Sequence, residues 1–456
     1  MKLLAKEPLK ASFEHIYNSL RQPWLLSVLF IALIPIFPEY ISIPLAIGSV
    51  WMASKDAKIR HQSLSVGTLG KLILLYIAYM AFGVLYSPNP LNSISTLLMW
   101  VVMFAVYMSM TTVLCSKHRF DTALFCIVLV AGIVGVIACG QYLLALLGSN
   151  TSMQFWGWID RVLYEWFPMP LNLSDFGLRT SSTFNNPNIA AEYLVMILPF
   201  AVYYAFDGKR TRVRMLCRIC LLAAVCGIAF TFSRGSYLAL LAIVAVLCIA
   251  NIRKITVIFM SAVSLLVLIP DTVMQRLFSI AGSDGSINER WSIWAVSIDG
   301  ILESPIFGRG PGIQNSWDML MAAGIDAPHT HNLVLELLVE GGVIALILMI
   351  LVGWKMLRGG IRMVFQGDSE SRMLGIAFIG FAAAFCTHSM VDFPLLSPKL
   401  VAVFLMIIAF ADCARTLYMR EKLQPMGALA PTFLRGRTPR NVYYSQHTPS
   451  HTPHNK

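Results

Sequence analysis

Residues 328–354 read Pro-His-Thr-His-Asn-Leu-Val-Leu-Glu-Leu-Leu-Val-Glu-Gly-Gly-Val-Ile-Ala-Leu-Ile-Leu-Met-Ile-Leu-Val-Gly-Trp. Two histidines, an asparagine and two glutamates stand at the mouth of an otherwise apolar run. Asn332, Glu336 and Glu340 recur every four residues, so a helix puts them in one polar stripe. A soluble amphipathic helix would turn that stripe to water. This one leads into a segment that is greasy on all sides, which belongs in lipid or in a large core.

The rest of the chain has the same character. Of 456 residues, 57% are hydrophobic and 13% charged, with mean hydropathy +0.67, whereas soluble domains carry roughly 25% charged residues. The composition predicts an all-α polytopic membrane protein. The N-terminus does not read as a cleavable signal, because its polar lead is long and no small-x-small site follows the apolar run. Apolar runs of spanning length predict about twelve transmembrane helices: 23–37, 40–52, 72–86, 94–114, 122–147, 187–206, 218–232, 235–252, 255–270, 331–356, 373–390 and 399–414.

With the N-terminus inside, about 28 of the 35 lysines and arginines fall in inner segments, as the positive-inside rule requires. The net charge of +11 is then topological, and nucleic acid is excluded as its partner. The expected organisation is a cytoplasmic segment 1–22, a bundle over 23–270 with an outer loop at 148–186, a larger outer loop 271–330, last spans within 331–418, and a disordered cytoplasmic tail 419–456. The outer loop at 148–186 carries Trp156, Trp158 and Trp166 and suits a headgroup-level helix, and 271–330 reads as a small helical extracytoplasmic domain. All nine cysteines lie in spans or at inner ends, which gives no outer disulfide framework.

Charge inside a membrane is expensive and therefore informative. Glu192, Arg234, Glu336, Glu340, His388 and Asp392 gather toward the outer ends of their spans. Transporters place such groups near the midplane, so this distribution points to chemistry at the outer leaflet. Four motifs surround that level. Arg179-Thr180-Ser181-Ser182-Thr183-Phe184-Asn185-Asn186-Pro187-Asn188 leads into a helix, where capping is the structural alternative. Ser233-Arg234-Gly235-Ser236 is a tight turn whose arginine either meets an anion or snorkels. Glu289-Arg290-Trp291-Ser292-Ile293-Trp294 precedes Ser304-Pro305-Ile306-Phe307-Gly308-Arg309-Gly310-Pro311-Gly312, whose glycines resemble a phosphate cradle. The fourth is the opening stretch.

In this order the motifs resemble the O-antigen ligase and Wzy-type polymerase superfamily of membrane glycosyltransferases. The matching pieces are Arg-x-x-x-Thr-Phe-x-Asn-Pro-Asn, Ser-Arg-Gly-Ser, Arg-Trp-x-x-Trp before Pro-x-x-Gly-x-Gly-Pro-Gly, His-Asn-x-x-Leu-Glu with Glu-Gly-Gly, and His388-Ser389-x-x-Asp392-Phe393. Tyr86-Ser87-Pro88-Asn89-Pro90 fits the family's early loop, and the resemblance runs from about Tyr86 to Leu417. It implies a GT-C-like transferase, free of metal and nucleotide cofactors, that moves a glycan from undecaprenyl diphosphate to a glycan, lipid or other envelope acceptor at the outer face of the cytoplasmic membrane. By the same resemblance Arg234 and Arg290 hold the diphosphate and His331 is the catalytic base. Arg179, Asn188, Arg309, His329, Asn332, Glu336, Glu340, His388 and Asp392 match without so clear a role.

Elementary chemistry supports those roles. A diphosphate leaving group needs fixed positive charge, which arginine supplies bidentately. A sugar hydroxyl needs a proton acceptor that titrates near neutrality, which histidine provides. Direct displacement would invert the anomeric centre. His329-Thr330-His331 is also a permissive zinc pattern, though no cysteine or third histidine is near it in sequence. A polymerase with the same donor, a flippase for the lipid-linked sugar and a non-catalytic scaffold are the competing readings. A flippase predicts inverted repeats and broken helices, and neither is visible in the sequence.

Overall fold

The computed structural model describes residues 22–147, 178–207, 211–250 and 285–419. These form thirteen α-helices and one 3₁₀ turn, with no strand among the described residues. In chain order the helices are α1 (Pro23–Leu33), α2 (Glu39–Ile59), α3 (Thr68–Val84), α4 (Pro90–Val113), α5 (Lys117–Leu146), α6 (Pro187–Asp207), α7 (Thr211–Phe230), α8 (Arg234–Ile249), α9 (Gly285–Glu303), α10 (Ile313–Ala322), α11 (Leu333–Gln366), α12 (Ser369–Ser389) and α13 (Pro398–Met419). Pro23, Pro90, Pro187 and Pro398 each open a helix, where the missing N–H does no harm. Ser116, Asn332 and Asp368 cap the helices that follow them with side-chain oxygens.

Eleven of the twelve expected spans coincide with helices; the twelfth, 255–270, lies outside the described residues, as do the tryptophan-bearing segment 148–177 and the C-terminal tail from 420. Seven helices, α4–α7 and α11–α13, are long and apolar enough to cross a membrane. The others fall short of the twelve-span expectation for identifiable reasons. α1 has 11 residues, a rise of about 16 Å against the ~30 Å of a bilayer core. α3 and α8 have 17 and 16 residues, and α2 contains Pro44 and ends in a charged turn.

Hydrogen bonds sort the connections into two ends of the bundle. At one, Asp56 pairs with Arg60 and Arg119, Asp412 accepts from Thr68 and Leu69, and Tyr418 donates to Asp121. At the other, Tyr86 donates to the carbonyl of Phe307, Asn89 to Asn315 and Asp318, Thr180 N–H to Phe230, and Asn332 to Met390. The second is called the site end below. The most buried span is α6, enclosed by α5, α7, α8 and α12.

α11 is two helices joined across a break. Gly342 has φ +60° and ψ −163°, a conformation that essentially only glycine adopts. The segment 305–310 fits into the gap. Val343 N–H donates to the carbonyl of Pro305 (2.9 Å), Arg309 N–H to Val339 (2.7 Å) and Gly310 N–H to Glu340 (2.9 Å). Tyr79 closes the set by donating to the carbonyl of Gly341 (2.8 Å). A broken helix was not expected from the sequence, so that absence is corrected here. Its freed backbone groups are taken up by the chain itself. Beside the break, Ile293, Met319, Leu320, Ala327 and Val339 form a small separate core under α9 and α10.

Candidate functional site

The site is built on the turn that precedes α11. His331 sits at φ +49°, a left-handed conformation that is uncommon for any residue but glycine. Its N–H donates to His329 Nδ1 (3.1 Å), and the two rings lie 4.0 Å apart. Around them the polar groups are tied down. Thr330 N–H donates to Glu336 (2.8 Å), whose other carboxylate oxygen accepts from Ser316. Trp294 donates its indole N–H to the carbonyl of Thr330 (3.0 Å). Asn332 caps α11 with its oxygen and donates its amide to Met390 (3.0 Å). The stripe of Asn332, Glu336 and Glu340 therefore faces protein, not water. Glu340 likewise accepts from Gly312 N–H (2.9 Å).

The contact with residue 390 brings the late motif in. Asp392 Oδ1 faces His331 Nδ1 at 3.5 Å, long for a hydrogen bond but within the range that tightens when a substrate seats. Burial alone would raise the Asp392 carboxyl, but the facing His331 and the charges of His329 and His388 hold it well below the usual carboxylate range. Burial pushes His329 down to about 4, and the charges of His331 and Arg290 act in the same direction. The ligand atoms of His329, His331 and Asp392 lie within 4.8 Å of one another, a set that could hold a divalent ion.

Behind this group lies a second histidine–carboxylate pair. His388 and Glu192 are 1% and 2% exposed, with His388 Nδ1 3.1 Å from Glu192 Oε2. Glu192 stands on α6 and was noted in the sequence as an intramembrane acid, not as a site residue. Its signal was a carboxylate five residues after the Asn-Pro-Asn helix start, in an otherwise apolar run. His388 also bridges to the Ser233–Ser236 turn, because a Cβ at Gly235 would come within 3.3–3.4 Å of its ring.

Arg234 is the first residue of α8 and follows Phe232, another left-handed residue at φ +52°. Arg179 supports that turn: its guanidinium donates to the carbonyl of Thr231 (3.0 Å) and to Asn188 (2.7 Å). Thr180 N–H adds a bond to Phe230 (3.0 Å). Arg290 stands on α9 one turn before Trp294, whose indole N–H donates to the carbonyl of Thr330 between the two histidines. Lys399, read in the sequence only as a topological charge, is fully buried. It donates to Thr183 (2.8 Å) and lies 4.6 Å over the Phe184 ring, which pins the Arg179–Asn188 motif.

Two expectations are redirected. Arg309 pairs with Glu303 and makes no described contact with the histidines. The glycine-rich stretch around it is not shaped to cradle phosphate, since the N–H groups of residues 308, 309, 310 and 312 go to Ser304, Val339, Glu340 and the Glu340 carboxylate. Its glycines serve close approach: a Cβ at Gly308 would lie 2.6 Å from Gly341 N.

Fold and site together define an all-helical, multi-pass membrane protein with a polar site at one end of its bundle, bearing histidines, carboxylates and arginines. Residues 219–350 match the family model described as O-Antigen ligase, and over that segment the chain is similar to the O-antigen ligase/Wzy superfamily. The segment contains Arg234, Arg290, His329, His331, Glu336 and the break in α11; Arg179, Glu192, His388 and Asp392 lie outside it. No curated protein matches the chain.

Proposed function

We propose that this protein is a glycosyltransferase that moves a glycan from undecaprenyl diphosphate to an acceptor hydroxyl, at the extracytoplasmic face of the cytoplasmic membrane. The observation that carries the reading is the convergence of three distant segments at one end of the bundle. The Ser233–Ser236 turn abuts His388, Trp294, one turn after Arg290 on α9, donates to the carbonyl of Thr330 between the two histidines, and Asp392 faces His331.

In the reaction, the acceptor hydroxyl attacks the anomeric carbon while His331 takes its proton. The bond from that carbon to the diphosphate oxygen breaks, and undecaprenyl diphosphate leaves. Arg234 and Arg290 hold the charge that develops on it, the work a divalent cation does elsewhere. Asp392 orients the His331 ring and stabilises the imidazolium formed in transfer, as the carboxylate of a catalytic triad does. Attack from the face opposite the leaving group inverts the anomeric centre.

The test is to incubate purified protein with undecaprenyl-diphosphate glycan and candidate acceptors and to read product length. One block per acceptor indicates a ligase, a ladder indicates a polymerase, and no transfer by active-site-intact protein overturns the reading. The cluster of His329, His331 and Asp392 supports a second reading in which a metal ion activates the acceptor, and transfer in excess chelator separates the two.

A further inference from the structure

We infer that Glu192 is a positioning residue for Arg234, acting through His388, and so sets how firmly the site grips the donor's diphosphate. This rests on the transferase reading and adds a residue to the donor half of its site. Glu192 lies on the second turn of α6, the most enclosed span, which packs against both α8 and α12. A carboxyl group buried in a span is costly to keep, and at 2% exposure this one touches no substrate. Its use has to run through a neighbour.

One face of α6 holds the Ser233–Ser236 turn from two sides. Asn188 and Glu192 are four residues apart and project from the same face, one turn from each other. Asn188 accepts from Arg179 (2.7 Å), whose guanidinium also donates to the carbonyl of Thr231 (3.0 Å), three residues before Arg234. Glu192 Oε2 faces His388 Nδ1 at 3.1 Å. The opposite edge of that ring packs on Gly235, the residue after Arg234, where a Cβ would lie 3.3 Å from Cδ2 and 3.4 Å from Nε2. One relay therefore ends just before Arg234 and the other just after it. His388 Nε2 makes no hydrogen bond among the described residues, so Glu192 is the polar group that fixes the rotation of the ring. The contact survives whichever member holds the shared proton, because a carboxylate accepts from an imidazole N–H and a neutral acid donates to the bare nitrogen. An arginine meets a diphosphate with a planar fork, and the fork loses its paired bonds when its base tilts.

Binding of undecaprenyl diphosphate to the full-length protein in nanodiscs, read by native mass spectrometry, tests this without requiring turnover. Glu192→Leu keeps the bulk and removes the polar contact. It should weaken binding at least tenfold, roughly the worth of one charge-assisted hydrogen bond. In an Arg234→Ala background the same change should have no further effect, since the two residues act as one unit. Glu192→Leu/His388→Leu, which replaces the buried pair by apolar groups that folds often tolerate, carries the same expectations should Glu192→Leu misfold. In transfer, the variants should raise donor KM and leave acceptor KM unchanged. Wild-type affinity in a folded variant, a further loss on top of Arg234→Ala, or an equal rise in both KM values overturns the assignment. A wild-type protein that does not bind undecaprenyl diphosphate brings down the transferase reading and this inference with it; wild-type binding with unaltered variants brings down this inference alone.

Discussion

Gly342→Ala tests whether the break in α11 is a built feature. An added Cβ would lie 2.2 Å from the carbonyl oxygen of Ile306, 2.3 Å from its carbon and 2.7 Å from Phe307 N. All three atoms are backbone and cannot rotate away. The conformation at φ +60°, ψ −163° adds strain of about 1–3 kcal/mol for a non-glycine residue. Relief requires the 305–310 segment to withdraw, which breaks the bonds from Val343, Arg309 and Gly310 at about 1 kcal/mol each. The expected destabilisation is about 4–6 kcal/mol. Gly353→Ala is the control, on the same helix, because a Cβ there meets nothing within 4 Å and the helical propensity gain is favourable. Thermal unfolding in detergent, followed by a fluorescent thiol or tryptophan signal, should show Gly342→Ala melting well below wild type and Gly353→Ala at or above it. Equal melting of the two variants would refute the account of the break.

Arg234→Ala, Arg290→Ala and His331→Ala should each abolish transfer in protein that still inserts into the membrane, and wild-type rates in all three would sink the mechanism. Arg290→Lys should retain partial activity, since a point charge replaces a planar fork poorly; an unimpaired variant argues against bidentate phosphate binding. Asp392→Asn should lower kcat roughly tenfold to a hundredfold, within the ~10²–10⁴ that general-base catalysis supplies, with donor KM unchanged; a wild-type kcat removes Asp392 from the mechanism. His329 is held neutral to about pH 4, below the ~6.5 of an unfolded histidine. The unfolded chain then binds the extra proton between those values, so this contribution to stability is full above pH 6.5 and is lost as pH falls toward 4. Between pH 7.5 and 5 the loss is on the order of 2 kcal/mol, and His329→Gln should flatten the pH dependence of melting over that window; an unaltered profile contradicts it. Transfer should persist in excess EDTA, and its loss would favour the metal reading of His329, His331 and Asp392.

The helices were legible because an apolar run is a local property: α4, α5, α12 and α13 begin and end within about five residues of the expected spans, whereas α11 runs ten residues past 356, to Gln366. What depended on distant partners was not. Gly341-Gly342 is visible in the sequence, but the need for it comes from Ile306 and Phe307, more than thirty residues earlier. His388 and Asp392 stand four residues apart in one motif, a spacing that does not say what each side chain meets. Asp392 faces His331 and His388 turns to Glu192. The left-handed residues Ser182, Phe232 and His331 each fall in or beside a motif, yet no sequence rule flags a serine or a phenylalanine for that conformation, and the enrichment of histidine there is too small to single out one position. Lys399 misled for a related reason, since charge alone does not distinguish a residue in a loop from one wedged under Thr183.

The interruption of α11 divides the helix mechanically. Residues 333–341 are fastened to α9, α10 and the 305–312 segment, whereas residues from 343 onward run with α12 in the bundle. A continuous helix would act as a lever and carry every tilt of its membrane half to His331. Here the bonds of Arg309, Gly310 and Tyr79 hold the upper half to its neighbours, and that of Pro305 holds Val343 across the break, so the position of His331 is set by the 305–310 segment and not by the axis of the long half.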